Sequence, residues 1–265
     1  MRWEDYIWNC RNKVVYGPVV SRRLGWSLGI NLFPVSPRVC TFDCLYCDCG
    51  GERLSQPGFA DTARITRSIE RGLAMHRKRG TTIDYITLAG NGEPTAHPAF
   101  PEICAFVARM RNNYFPDRPT AVFTNGTMLG NSQVMSAVRE FDERIVKLDA
   151  GDEATFQMIN RPTNGTSLNA VADYAASVPG IKVSSAVICS DVNNAASLRS
   201  SAFMSLLRRI RPAEVHLYSI DYPQFGKGIR QARMSSMLSI GRRVADQASV
   251  HVRVLQAVRT WRKSP

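Results

Sequence analysis

Long apolar runs are missing from this sequence. No stretch approaches the roughly 20 consecutive apolar residues of a membrane span. The N-terminus, MRWEDYIWNCRNK, is mixed and charged. It lacks the apolar core of a secretory signal, so the expected compartment is the cytoplasm. Internal repeats, low-complexity tracts and obvious linkers are lacking too, which excludes a solenoid or a string of modules. Acidic residues are scarce: 22 Asp and Glu face 34 Lys and Arg, a net charge of +12. Such a balance favours contact with something acidic, whether nucleic acid, an anionic metabolite or an acidic protein. The bias grows toward the end. From Lys227 to Lys263 there are nine Lys or Arg and one acid, Asp246.

An evenly spread set of cysteines is also absent, and with it the framework of a disulfide-stapled secreted domain. Of seven cysteines, Cys10, Cys104 and Cys189 are scattered. The other four, Cys40, Cys44, Cys47 and Cys49, fall within ten positions. A cluster of that kind without a secretory signal points to a metal.

What is present is an alternation of β-like and helical periods. Strands are expected at 27–33, 83–89, 120–125, 144–149, 181–188, 214–220 and 249–255. Helices are expected at 61–79, 98–112, 131–141, 195–210 and 234–247, with helical segments across 152–178. Phe100, Ile103, Cys104, Val107 and Met110 share one helical face, as do Phe203, Leu206, Leu207 and Ile210. Strands alternating with helices imply right-handed βαβ units and a mainly parallel sheet. The fold class is α/β, about six units forming a partial or complete barrel in one domain over 1–265. Its parts are an N-terminal extension (1–26), a barrel core (27–223) and a basic C-terminal segment (224–265). Sites in such folds gather at the C-terminal strand ends.

The motifs fall there. Cys40-Thr-Phe-Asp-Cys44-Leu-Tyr-Cys47 puts three thiolates in one short loop. Thiolates are the usual ligands of iron–sulfur clusters. Three of them can hold three irons of a cubane and leave the fourth iron open. Zinc is the rival, with Cys49 as fourth ligand, although zinc knuckles prefer well-separated C-x-x-C pairs and only one such unit exists here. Ala89-Gly90-Asn91-Gly92-Glu93-Pro94 follows a strand, where glycines let backbone approach a ligand or simply make a turn. Phe123-Thr124-Asn125-Gly126 ends the next strand; its Thr and Asn can bind a ribose or carboxylate, or cap a turn. Val146-Lys147-Leu148-Asp149 puts two charges on one strand face. Ser185, Tyr218 and His216 lie on later strands, and a lone strand His is more often structural.

The cysteine loop resembles the Cx3Cx2C signature of the radical SAM superfamily, with an aromatic before the last cysteine. The resemblance implies a 4Fe–4S cluster on Cys40, Cys44 and Cys47, and S-adenosylmethionine chelated to the fourth iron. It places Tyr46 by the adenine. Gly90, Asn91, Gly92 and Glu93 stand where the family's GGE-like motif binds the cofactor's amino group, Asn91 replacing a frequent glycine. Thr124, Asn125, Lys147 and Asp149 fall where ribose and carboxylate contacts lie, with Ser185 and Tyr218 as further candidates. The strand from Lys182 to Ile188 lacks the family's GxIxGxxE-like glycines. The stretch from Tyr16 to Gly25, then Ser27-Leu28-Gly29, resembles a branch that includes tRNA wybutosine-synthesis enzymes. So do Thr87–Pro94 and Tyr218–Pro223.

The resemblance implies an oxidoreductase that reductively cleaves S-adenosylmethionine to a 5′-deoxyadenosyl radical, which abstracts hydrogen from substrate. It also implies a flavodoxin or ferredoxin as electron donor, with the basic residues Arg242, Arg243, Arg259 and Arg262 as a docking patch. A small anionic metabolite fits a basic mouth of Arg22, Arg23 or Arg161, and a peptide fits a short open barrel. A tRNA base is the alternative substrate. A non-catalytic, metal-stapled RNA-binding protein is the alternative of another class. No cysteine follows residue 224 in this sequence, so the cysteine-rich extension of some peptide-modifying relatives is not expected.

Overall fold

In the computed structural model, residues 13–33, 39–47, 49, 59–189, 191–220 and 228–256 are described below. Cys10, Arg259 and Arg262 lie outside them. Eight strands form one sheet in sequential order. They are β1 (Val15–Ser21), β2 (Gly25–Ile30), β3 (Tyr85–Leu88), β4 (Thr120–Thr124), β5 (Glu143–Lys147), β6 (Lys182–Ala186), β7 (Glu214–Tyr218) and β8 (Val252–Leu255). β1 and β2 make an antiparallel hairpin, and every pair from β2 to β8 is parallel. The sheet curls into an open half-barrel with β1 and β8 at its edges.

Helices cover the outer face. They are α1 (Thr62–Lys78), α2 (Phe100–Tyr114), α3 (Ser132–Arg139), α4 (Glu153–Ile159), α5 (Leu168–Ala176), α6 (Ala195–Leu198), α7 (Ser201–Ile210) and α8 (Met234–Ala248). Each buries the stripe its sequence period dictates. On α1 the stripe is Ile65, Ile69, Leu73 and His76. On α2 it is Phe100, Ile103, Cys104, Val107 and Met110. These stripes and the outward strand residues merge into one large core. Among the described residues no helix is long and apolar enough to cross a membrane.

The sheet reaches further in both directions than residues 27–223. Val15–Ser21, within the stretch expected as an extension, is a strand, and the basic C-terminal stretch supplies α8 and β8. The expected helix at 195–210 is two helices. Ser200 takes an extended conformation, and its hydroxyl accepts from Phe203 N at 3.1 Å, capping α7 and ending α6. That cap orients α7, whose Phe203 packs against Gly151 just beyond β5. Ser200→Ala should therefore cost about 1 kcal/mol of stability. Urea unfolding followed by circular dichroism measures it; an unchanged midpoint would show that the cap contributes nothing.

Candidate functional site

The cysteine loop crosses the C-terminal end of the half-barrel and is gripped from three sides. Its outer edge pairs with the segment after α4. Asp43 N donates to the carbonyl of Asn160 (3.0 Å), Leu45 N to that of Ile159 (2.8 Å) and Thr163 N to that of Thr41 (3.0 Å). Phe42, fully buried, meets Phe156 edge-on with centroids 5.3 Å apart. Buried aromatic pairing of this kind fixes the loop more firmly than hydrogen bonds alone.

The second grip is the turn after β3. Gly92 has φ +82°, and a Cβ there would stand 1.7 Å from the carbonyl oxygen of Val39, next to Cys40. Glu93 N donates to that same oxygen at 2.8 Å. A Cβ on Gly90 would strike the buried Asn31 side chain. Asn31 accepts from Asn91 N (3.1 Å) and Phe33 N (3.0 Å), so one amide holds the whole turn. Asn91 Nδ2 in turn donates to the carbonyl of Phe33 at 2.8 Å. The sulfur of Cys49 lies 3.8 Å from the carbonyl oxygen of Gly90.

The third grip is the end of β4. Asn125 Nδ2 donates to Thr41 Oγ1 at 2.8 Å and points at Cys40 Sγ, 3.9 Å away. Glu93 ties the second grip to the third. Its buried carboxylate accepts from Thr95 N and Oγ1, from Thr124 Oγ1 (2.7 Å) and from Asn125 N (2.6 Å). Burial pushes its pKa up while these donors pull it down. Both oxygens accept from protein donors, so Glu93 and Thr124 tie the turn after β3 to the end of β4.

Asp149 plays the same part beyond β5. It is fully buried. Oδ1 accepts from Ala186 N (2.7 Å); Oδ2 accepts from Asn160 Nδ2 (2.7 Å) and from the Tyr46 hydroxyl (2.5 Å). Lys147 Nζ stands 3.4 Å from Oδ2 and 2.5 Å from the Tyr218 hydroxyl. Burial would lower the Lys147 pKa, but Asp149, Tyr218 and Cys44 outweigh it and hold the ammonium charged. Burial, then Asp149, raises the Tyr46 phenol. Ser185 is brought elsewhere: its buried hydroxyl donates to the Leu148 carbonyl. Its neighbour Ser184 is the serine that faces the lumen.

The sequence reading missed Asn160, Asn194, Asn31 and Thr41. Asn160 Nδ2 lies 3.6 Å from Cys44 Sγ as well as bonding Asp149. Asn194 donates to the backbone carbonyls of Asp149 and Ala186. A single Asn after a helix carries no periodic or spacing signal, so only its contacts reveal it.

The three loop thiols lie within electrostatic reach of one another. Burial first, then neighbouring negative groups, pushes Cys40 up to about 12; burial likewise carries Cys44 to about 12. Buried thiols in that state become thiolates only when a metal takes the proton's place. Among the described residues no three Cys, His, Asp or Glu side chains gather tightly enough to enclose one ion. N–H groups of Phe42, Asn125 and Asn160 point at the sulfurs of Cys40 and Cys44, as thiolate ligands of a cluster require. Three thiolates in one loop, with N–H groups aimed at two of them, fit a cluster.

The Radical SAM superfamily profile matches residues 35–192. Members of that superfamily are enzymes that use a 4Fe–4S cluster and S-adenosylmethionine and need a reductant and a substrate. A UPF0026 protein of Helicobacter pylori strain J99 is 29% identical over 217 residues, 79% of this chain and 67% of its own. The structure of TYW1 with a lysine–pyruvate adduct bound has a TM-score of 0.63 at 15% identity, covering 86% of this chain and 76% of that one. The S-adenosylmethionine-bound SuiB of Streptococcus suis has a TM-score of 0.58 at 10% identity, over 83% of this chain and 48% of that one. At these identities the two structures share the fold.

Gly92→Ala should leave the barrel folded but displace the cysteine loop, because the added methyl collides with Val39 backbone rather than with a mobile side chain. Iron content and visible absorbance after anaerobic reconstitution should fall well below the native level. Native-like iron incorporation would show that the turn does not set the loop.

Proposed function

The chain belongs to the radical SAM superfamily, and from that premise we propose that Cys40, Cys44 and Cys47 hold the 4Fe–4S cluster, with S-adenosylmethionine beside it along the ends of β3 to β7 and a small anionic metabolite or peptide as substrate. One observation carries this reading. A single loop bearing three half-buried cysteines is clamped by the three strand-end motifs, through Glu93 N on Val39 O, Asn125 Nδ2 on Thr41 Oγ1 and the Tyr46 hydroxyl on Asp149.

When bound and reduced, the cluster supplies the electron that splits the cofactor's C5′–S bond. The chain's own residues do the rest of the work. Asn125 and Asn160 orient the loop sulfurs from opposite sides. The Gly90–Gly92 turn offers backbone polar groups where side chains would obstruct. Tyr46 turns its hydroxyl inward to Asp149 and its ring toward Lys147, whose Nζ lies 5.0 Å from the ring centroid. Ile159, Ala186, Ile188, Ile220 and Ile229 pack around Tyr46 and exclude water on that side. A dry wall beside a preorganised polar one protects reactive species from side reactions.

The test is anaerobic purification, reconstitution with iron and sulfide, reduction with dithionite and addition of S-adenosylmethionine. The native chain should release 5′-deoxyadenosine, and Cys44→Ala should release essentially none. Zinc at the three cysteines, with no 5′-deoxyadenosine, would overturn the reading.

The electron donor in this proposal is an acidic flavodoxin or ferredoxin. Arg199, Arg242 and Arg243 line a groove between α6 and α8 with one acid, Asp246. Behind it, α6 is bonded to the site: Ser197 Oγ accepts from Gly151 N at 2.8 Å. Arg242→Glu with Arg243→Glu should slow 5′-deoxyadenosine formation about ten-fold with flavodoxin at low salt while leaving the dithionite-driven rate unchanged. Equal loss with both donors would remove the groove from the proposal. A tRNA base is the second reading, favoured by the +12 charge; it requires tRNA affinity that falls steeply with salt.

A further inference from the structure

Asn160 is placed by the way α4 ends. The helix stops at Ile159, and Asn160 N still donates to the Phe156 carbonyl at 2.8 Å. Arg161 then takes φ +49°, and Pro162, with no N–H to continue the helix, bridges Phe42. A left-handed residue followed by proline turns the chain back along the cysteine loop. There Asp43 N donates to the Asn160 carbonyl at 3.0 Å and Leu45 N to that of Ile159 at 2.8 Å. Asn160 is left 1% exposed between the loop and Asp149.

An apolar side chain would fill this place without stranding a polar atom. Asn160 Oδ1 is buried with no hydrogen-bond partner among the described residues. A buried carbonyl left unmatched is unfavourable, so the amide is explained by its N–H groups alone. Nδ2 carries two hydrogens. It stands 2.7 Å from Asp149 Oδ2 and 3.6 Å from Cys44 Sγ, one partner for each. Turning the amide over would set Oδ1 against the Asp149 carboxylate and lose both bonds. Asp149 is itself pinned: the same Oδ2 accepts from the Tyr46 hydroxyl and stands 3.4 Å from Lys147 Nζ, while Oδ1 accepts from Ala186 N. Asn125 differs. Its Oδ1 accepts from Thr127 N and Oγ1, and its Nδ2 is closer to Thr41 Oγ1 (2.8 Å) than to Cys40 Sγ (3.9 Å). That amide is matched by protein, whereas Asn160 is held with one N–H aimed at a sulfur.

An N–H group directed at a cysteine sulfur of an iron–sulfur cluster stabilises the more negative, reduced state and so raises the reduction potential. We infer that Asn160 is a positioning residue that sets the potential of the cluster through its N–H on Cys44, and with it how readily a donor reduces the site. The inference rests on the reading that Cys40, Cys44 and Cys47 hold the cluster.

The experiment is a redox titration of the anaerobically reconstituted protein with titanium(III) citrate, following the electron paramagnetic resonance of the reduced cluster. S-adenosylmethionine is omitted, so that cofactor binding does not enter. Asn160→Leu keeps the bulk, excludes water and has no N–H. It should take up native amounts of iron and lower the midpoint potential by about 59 mV, a ten-fold fall in the one-electron reduction constant. An unchanged or raised potential at native iron content overturns the inference and leaves the cluster reading standing. A second measurement does not depend on how that variant folds. Protein labelled with ¹⁵N at the asparagine side chains is studied by pulsed resonance as Asn125→Ser, which removes the amide beside Cys40. A ¹⁵N coupling to the cluster supports the inference, and its absence overturns it. A native chain with no cluster signal refutes the proposed function itself, and this inference with it.

Discussion

The buried carboxylate of Asp149 is the constraint on which the rest of the site depends. Taking a carboxylate wholly out of water costs several kcal/mol unless its lone pairs are matched. Here Ala186 N, Asn160 Nδ2 and Tyr46 OH match them, and Lys147 supplies the opposite charge. Those partners come from β6, the segment after α4, the cysteine loop and β5. One carboxylate therefore draws four separate parts of the chain to a point. None of them can shift without stranding the charge. Asn194 adds a fifth by bonding the Asp149 carbonyl.

Glu93 repeats the device on the other side of the loop. It joins the turn after β3 to the end of β4, and through Asn125 it reaches Thr41 and Cys40. Two buried acids, one on each flank, thus hold the cysteine loop alongside the packing of Phe42 and Tyr46. Charge-assisted hydrogen bonds are shorter and stronger than neutral ones and more directional than apolar packing. That suits a loop whose sulfurs have to be positioned before any ligand arrives.

The lumen has a graded polarity. Near the cysteine loop, Tyr46 is packed in isoleucine and alanine. Midway stand Lys147, Tyr218, Arg22 and Arg23. Toward the floor, Glu214 gathers His216 (2.7 Å), His251 (3.0 Å), Lys182 (3.6 Å) and Arg253 (3.6 Å). The floor is therefore an ion network in which Glu214 orients His216 through Nε2, the buried Nδ1 having no hydrogen-bond partner among the described residues. These side chains lie between the dry wall and this floor.

The sequence by itself determined the alternation of strands and helices, the parallel sheet and the loop of three thiols, because these rest on local periods and spacings. Ile65, Ile69 and Leu73 announce a helix whatever they later touch, and Cys40, Cys44 and Cys47 share a loop by their numbering alone. The motifs at the ends of β3, β4 and β5 were legible as positions but not as roles. Whether Glu93 and Asp149 face a ligand or the protein depends on which donors lie across the barrel, and those donors are 31 to 103 residues away. The same holds for Asn160 beside Cys44 and for Ser184 in place of Ser185, which strand alternation and register decide. The arginines of the hairpin tip read as a possible mouth in sequence. Only the tertiary structure carries them across the lumen to β6 and β7, because a contact over 161 residues is set by how the sheet curls and leaves no trace in local composition.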